Sequence, residues 1–428
     1  MKIAFINTSD LHGGAARAAF RLHDALLRAG HDCRMFVGHK IGEHFSVLGP
    51  DSFGSKVASR VVPHLDTLPK RLYRQRMRTP FSVAWVGHGH LKRVIDEFDP
   101  DVVHLHWING GFLTPRQIAC IRKPIIWSLH DMWAFTGGCH YNAKECARYE
   151  AACGSCPVLG SRRERDLSRW TWNRKRRAYA QVKDLTVVGL SRWLTGEARR
   201  SSLLRGRPVE TLPNPIDTDV FRPVERRAAR NLWNLPHDAT IVLFGAMRST
   251  SDARKGYDLL IRALGSIANP QLHLCVYGAS SGEHERLAGM PVHFVGRLHD
   301  DVSLVALYSA ADVMVVPSRS EAFGQTATEA MSCGTPVVAF GATGLLDIVD
   351  HQVNGYLARP YQSADLAEGI QWVLRQRQNG LHLAEAARAK VVSCFGYSVV
   401  AMQYERLYEH VSKRQSRQSG ECNDLAER

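Results

Sequence analysis

The stretch from Asp312 to Pro336 constrains the fold more than any other. Asp312-Val-Met-Val-Val-Pro317 is a short unbroken apolar run, the pattern of a parallel strand buried on both faces. Ser318-Arg-Ser-Glu321-Ala-Phe323-Gly324-Gln325-Thr326-Ala-Thr328-Glu329-Ala330-Met331 follows, and its second half predicts a helix closed by Cys333-Gly334-Thr-Pro336. A strand that crosses through a helix to another strand belongs to a parallel sheet covered by helices. Two carboxylates sit at this crossing, Glu321 before the helix and Glu329 inside its first turns. The free N–H groups of the helix start, about Phe323 to Thr326, form an anion site. An acid one turn further in can reach ribose hydroxyls, as acids do in other doubly wound sheets.

An anion cradle flanked by two hydroxyl-binding acids suits a nucleotide diphosphate carrying a sugar. Glu321 and Glu329, separated by seven residues, resemble the motif of the retaining glycosyltransferases of family four, which have the GT-B fold. The resemblance implies an α/β chain of two doubly wound, Rossmann-like domains facing a central cleft. It places an acceptor domain at 1–205 and a donor domain at 206–396. A terminal helix, 397–410, is expected to pack back on the first domain, and the polar tail 413–428 to be disordered. A length of 428 residues accommodates two such domains.

Composition is that of a globular protein, 45% hydrophobic and 22% charged. No apolar run reaches the length of a membrane span. Met1 leads straight into a strand without a signal peptide, so a cytoplasmic protein is expected. The net charge is +14. Residues 1–213 carry 34 Lys and Arg against 18 Asp and Glu, 34 − 18 = +16, and residues 214–428 carry 21 against 23, 21 − 23 = −2. The basic half points to an anionic partner, membrane lipid or nucleic acid.

In the first half, Asp10-Leu-His12-Gly13-Gly14 joins a strand to a helix. It lacks the full dinucleotide pattern, so a nicotinamide ligand is disfavoured. In the family a Gly-Gly loop at this place faces the donor, which implies that role for Gly13 and Gly14. Residues 56–78 mix Lys56, Arg60, Lys70, Arg71, Arg74, Arg76 and Arg78 with Val, Leu, Tyr and Met. A solvated basic helix and a membrane-surface element both fit, and related enzymes with lipid-linked acceptors dock through this region. A second basic run, 162–177, is interleaved with Trp170 and Trp172. Asp99-Pro-Asp101 and Asp217-Thr-Asp219 look like metal motifs. The first precedes its strand and the second lies in the interdomain connection, so both read as turns. His130 ends a strand where the family places a histidine beside the donor sugar, with Asp131 as a candidate to orient the ring. Cys139, Cys146, Cys153 and Cys156 follow, with His140 as a spare ligand. The absence of an export signal argues against disulfides, leaving a structural zinc site or four buried thiols.

In the second half, Arg248 and Lys255 occupy positions where the family keeps basic residues. Such cations neutralise the charge that grows on a leaving diphosphate, so no catalytic metal is expected. The loop with Arg297 and Leu298 is where the family holds the base, largely by backbone. The implied set is therefore Arg248, Lys255, Glu321 and His130 for catalysis. Donor binding falls to Gly13, Gly14, Phe323, Gly324, Gln325, Thr326, Glu329, Arg297 and Leu298. The expected reaction is metal-independent, retaining transfer of a hexosyl group from a nucleotide-diphosphate sugar to a saccharide or lipid-linked saccharide. The cysteine insertion resembles that of exopolysaccharide and colanic-acid-type enzymes. The enzyme is then expected on the inner face of the cytoplasmic membrane, bound to no nucleic acid. A sugar-nucleotide epimerase of the same fold and a basic nucleic-acid-binding protein are the alternatives. No nucleic-acid motif supports the latter.

Overall fold

A computed structural model describes the chain apart from residues 90, 143–145, 246–250, 279–285, 288, 379–381 and 427–428. It divides into two compact units, Met1–Pro213 with Ala401–Arg428, and Asn214–Val400.

The first unit is a parallel sheet of β1 (Lys2–Ser9), β2 (Asp32–His39), β3 (Val47–Leu48), β4 (Val102–Leu105), β5 (Ile125–Leu129), β6 (Leu185–Gly189) and β7 (Val209–Thr211). Its order is β3-β2-β1-β4-β5-β6-β7, the doubly wound order, which reverses between β1 and β4. Ile3 to Ile6 are fully buried at consecutive positions, because helices cover both faces of the sheet. The expected boundary at 205 falls before β7. Val209 to Thr211 pair with Val187 to Gly189, which carries the first unit on to Pro213.

The second unit holds β8 (Thr240–Gly245), β9 (Leu272–Tyr277), β10 (Arg286–Leu287), β11 (Met290–Gly296), β12 (Val313–Val316), β13 (Val337–Phe340) and β14 (Gly355–Ala358). The order is β10-β11-β9-β8-β12-β13-β14, parallel except for the two-residue β10. Here the order reverses between β8 and β12. Ligands of open α/β sheets bind outside the carboxyl ends of the strands at such a reversal. Val242, Leu260, Leu274, Val315, Val338 and Ile370 form the centre of the core.

The last helix, Tyr397–Ala426, contributes to the first unit from Ala401 onward. Tyr404 and Tyr408 are fully buried in that unit. The ring of His104 contacts the Tyr408 hydroxyl at 2.7 Å and Ser128 Oγ at 2.8 Å, and Ser128 meets the Tyr404 hydroxyl at 3.1 Å. The helix Tyr397–Ala426 runs through most of the segment expected as a polar tail.

Both acid pairs behave as turns. Asp101 accepts from the Lys2 N–H at 2.8 Å, at the N-terminal end of the sheet. Asp217 Oδ1 accepts from the Asp219 and Val220 N–H groups at 3.0 and 3.2 Å.

Candidate active site

In the second unit the loops after β8 and β12 meet at the sheet reversal. The first passes through a 3-10 turn, Ala253–Lys255, whose Asp252 side chain accepts from the Arg254 N–H. Gly256 follows with φ 70°, and a Cβ there would lie 1.9 Å from the Pro317 carbonyl oxygen. This close approach lets the Lys255 loop lie directly on the end of β12. The Arg319 N–H donates to the Arg254 carbonyl at 2.7 Å, and Arg319 also grips Asp258.

Lys255 Nζ lies 2.5 Å from Glu321 Oε1, which also accepts from Ser318 Oγ at 2.8 Å. The Glu321 N–H donates to Thr343 Oγ1 at 3.0 Å and its carbonyl accepts from the Gly344 N–H at 3.0 Å. Three loops therefore fix one ammonium–carboxylate pair, whose members are 21% and 16% exposed.

The helix Gln325–Ser332 starts at Gly324, with φ 121° and no side-chain cap. A Cβ at Gly324 would lie 2.8 Å from Leu345, so the backbone alone occupies the entrance. Uncapped N–H groups at a helix start attract anions. Gln325 Nε2 is buried without a hydrogen-bond partner, a donor directed at nothing within the protein. Thr326, on the same first turn, is half-buried, whereas Phe323 is buried edge-on against Phe395 and anchors the loop. Glu329 is buried and accepts from the Tyr308 hydroxyl at 2.7 Å, which in turn contacts the Tyr277 hydroxyl at 2.7 Å. Burial pushes the Tyr308 phenol well above its usual range, so it stays a donor to Glu329.

Arg297 is exposed and Leu298 half-buried just beyond β11. They share the carboxyl edge of the sheet with Glu321, but β9 and β8 stand between. Arg248 lies outside the described residues.

In the first unit, Gly13 caps the helix Gly14–Arg28 with φ 98°. The buried Asp10 carboxylate takes N–H groups of Leu11, Ile41 and Gly42, tying the loops after β1 and β2 together. His130, at the end of β5, is oriented by His106 rather than Asp131. His106 Nδ1 lies 2.9 Å from His130 Nε2. Asp131 is taken by His140 at 2.6 Å, by the Trp107 indole at 2.9 Å and by the Trp133 N–H at 2.8 Å. The other nitrogen of His140 meets Ser82 Oγ at 2.8 Å, so both ring nitrogens are committed and His140 is no spare metal ligand. Burial lowers the His130 pKa to about 4, leaving the ring neutral near pH 7.

Sequence reasoning missed His106, Asp10, Ser318, Thr343 and Tyr308. The alternation His104-Leu-His106 at a strand end was the available signal for the first. The others show only once the loops are folded.

Two family models match the chain. One, described as Glycosyltransferase Family 4, covers residues 12–220; the other, Glycosyl transferases group 1, covers 226–390. The chain is 30% identical over 318 residues to D-inositol 3-phosphate glycosyltransferase 1 of Catenulispora acidiphila, covering 67% of this chain and 68% of that protein. It is 36% identical over 186 residues to a D-inositol 3-phosphate glycosyltransferase of Mycolicibacterium smegmatis, 41% of this chain and 42% of that one. Among solved structures, sucrose-phosphate synthase from Thermosynechococcus elongatus superposes with a TM-score of 0.67 at 22% identity, over 96% of this chain and 99% of that one. Anabaena HepE in complex with UDP and glucose gives 0.63 at 18% identity, over 96% and 99%. At these identities the structural likeness concerns the fold.

Proposed function

Because the chain belongs to the glycosyltransferases of group 1 and family 4, we propose that it moves a hexosyl group from a nucleotide-diphosphate sugar to a hydroxyl of a saccharide or lipid-linked saccharide, with retention at the anomeric carbon. The observation that carries this reading is the Lys255–Glu321 pair at the reversal of the donor-unit sheet, beside the uncapped helix start at Gly324. An anion at that helix start suits the diphosphate, and Lys255 supplies the cation that offsets its growing charge as the glycosidic bond breaks. Glu321 is engaged by Lys255 and Ser318, and Glu329 lies under Tyr308. Neither is presented as a nucleophile, which favours front-face displacement with the leaving phosphate taking the acceptor proton. Arg248, Gly13, Gly14 and His130 keep their family-implied roles in this proposal.

Screening UDP-, GDP- and ADP-sugars with and without saccharide acceptors tests the reaction. Turnover of one donor to a retained glycoside is expected, and it should continue in excess EDTA, because Lys255, with Arg248 in its family-implied role, supplies the positive charge a metal would. Activity lost to EDTA and restored by magnesium or manganese, but not by zinc, overturns the metal-independent reading. Conversion of the donor sugar without any acceptor favours an epimerase instead.

The acceptor is proposed to lie at an anionic membrane surface, in exopolysaccharide assembly. Among the described residues no helix is long and apolar enough to cross a membrane. The helix Phe53–Asp66 and the 3-10 turn Leu68–Leu72 instead expose Phe53, Val57, Val61, Leu65, Leu68 and Leu72, a stripe at helical spacing. Phe53 and Leu72 are 85% and 84% exposed. Beside this stripe, Lys70, Arg74, Arg76 and Arg78 line a cavity of about 420 Å³. A basic, apolar surface of this kind lies in the headgroup plane of anionic bilayers. In the second basic run Arg162, Arg163, Arg165, Arg176 and Arg177 stay exposed, and the other three are spent internally. Arg169 and Arg174 donate to the Cys153 and Ala84 carbonyls, and Lys175 is fully buried.

Each basic residue near an anionic surface contributes on the order of 1 kcal/mol. Changing Arg71, Arg74, Arg76 and Arg78 to Gln should therefore abolish salt-sensitive binding to phosphatidylserine vesicles while donor hydrolysis survives. Unchanged vesicle binding would remove this segment from the proposal. Tight RNA binding with no vesicle binding would replace the membrane by nucleic acid.

A further inference from the structure

The cysteines between Cys139 and Cys156 play no part in the proposed transfer, yet the fold gathers them. Cys139, Cys146, Cys153 and Cys156 all line one cavity of about 30 Å³. We infer that these four cysteines hold one structural zinc ion. All four are free thiols. Cys139 Sγ and Cys156 Sγ are 3.7 Å apart. Two sulfurs on a tetrahedral zinc, each about 2.3 Å from the metal, are separated by about 3.8 Å. Among the described residues no group of three or more side chains is gathered at metal-binding distances; Cys146 and Cys153 line the same cavity, and the proposal requires their side chains to turn onto the ion.

The backbone closes round the sulfurs: the Gly137 N–H donates to Cys153 Sγ at 3.1 Å, a contact that a metal-bound thiolate accepts. Lys175, with no exposed surface, donates to the carbonyls of Trp133 and Thr136, and Thr136 lines the same cavity.

The site also has something to hold. Cys156, Val158 and Leu159 pack with Phe81 and Val83, against Tyr73, Met77, Cys139 and Leu167. The Met77 N–H donates to the Val158 carbonyl at 2.8 Å and the Ser82 N–H to the Gly138 carbonyl at 2.9 Å. The zinc therefore fixes the wall formed by residues 73–83.

The test is elemental analysis of the full-length protein purified without added metal, with about one zinc per chain expected. Titration with a mercurial should release that zinc as the four thiols react. Cobalt exchanged into the protein should show sulfur-to-metal charge-transfer absorption. Cys139→Ser and Cys156→Ser should lose the zinc, whereas Cys275→Ser, in β9 of the other unit, should keep it. Removal by a chelator should raise hydrogen exchange over residues 73–83. Mercurial release and the cobalt spectrum use the wild-type chain, so insolubility of the serine variants leaves the inference testable. Protein that carries no zinc, carries iron instead, or has a disulfide among these cysteines overturns it.

Discussion

Lys255→Ala is expected to lower kcat about a hundred- to a thousandfold, the range found when one preorganised stabiliser of developing charge is removed. The side chain is partly exposed and pairs with Glu321 at 2.5 Å across two loops. Its partner Glu321 lies three residues before the uncapped helix start at Gly324, where a diphosphate would gather negative charge in the transition state. An interaction made mainly in the transition state lowers kcat and kcat/KM together, whereas lost ground-state binding raises KM alone. Lys255→Arg should recover part of the loss, because it keeps the charge but spreads it over a planar fork. Glu321→Gln keeps a hydrogen-bond acceptor for Lys255 and removes the carboxylate, and it too should lower kcat. Steady-state kinetics with the best donor decide the matter. A Lys255→Ala enzyme within twofold of wild type would mean that the leaving phosphate is stabilised elsewhere.

The second large effect is expected at Gly256. Its left-handed φ of 70° alone would cost an alanine about 1 kcal/mol. The larger problem is space, since the new Cβ would lie 1.9 Å from the Pro317 carbonyl oxygen, which is backbone and cannot rotate away. Forced overpacking adds roughly 1–3 kcal/mol, so Gly256→Ala should destabilise the second unit by about 2–4 kcal/mol. At about 2–4 °C per kcal/mol for a unit of this size, the melting transition should fall by roughly 5–15 °C. Activity should fall further than stability predicts, because the same displacement moves Lys255 away from Glu321. Gly206 has a similar φ of 80° with nothing within 4 Å of its Cβ position. Gly206→Ala is therefore the control for backbone strain alone. Equal shifts for the two variants would show that the contact with Pro317 is not what matters.

How far the sequence speaks for itself differs between fold and site. The βαβ pattern around Asp312 to Pro336 shows in single residues because parallel strands are buried on both faces and read as apolar runs. Glu321 and Glu329 were placed correctly on either side of the helix start by the same pattern, which fixes local order along the chain. Partners were not legible. His130 faces His106 because β4 and β5 are neighbours in the sheet, while Asp131, next to it in sequence, turns to Trp107 and His140. Adjacent residues leave a strand end in opposite directions, so nearness along the chain was the wrong guide. The basic run at 162–177 mixes two kinds of residue that the sequence does not separate. Charge density in a sequence does not tell a solvated arginine from one spent on a backbone carbonyl, as Arg174 is on Ala84. The domain boundary slipped because β7 has only three residues, too short to announce itself.

The return of the last helix to the first unit sets the order in which the protein can be completed. All seven strands of that unit are made within the first 213 residues, but the tyrosines that cover His104 and Ser128 come after the whole second unit. At synthesis rates of about 5–20 residues per second, the nascent first half waits roughly 10–40 s for its closing helix. During that interval the polar pair in its interior is met by water instead of Tyr404 and Tyr408. The second unit, contiguous from Asn214 to Val400, has no such wait. The half of the chain that is born first is thus the half that is finished last, and the loss of Tyr404 and Tyr408 is felt at His104 and Ser128, about three hundred residues earlier.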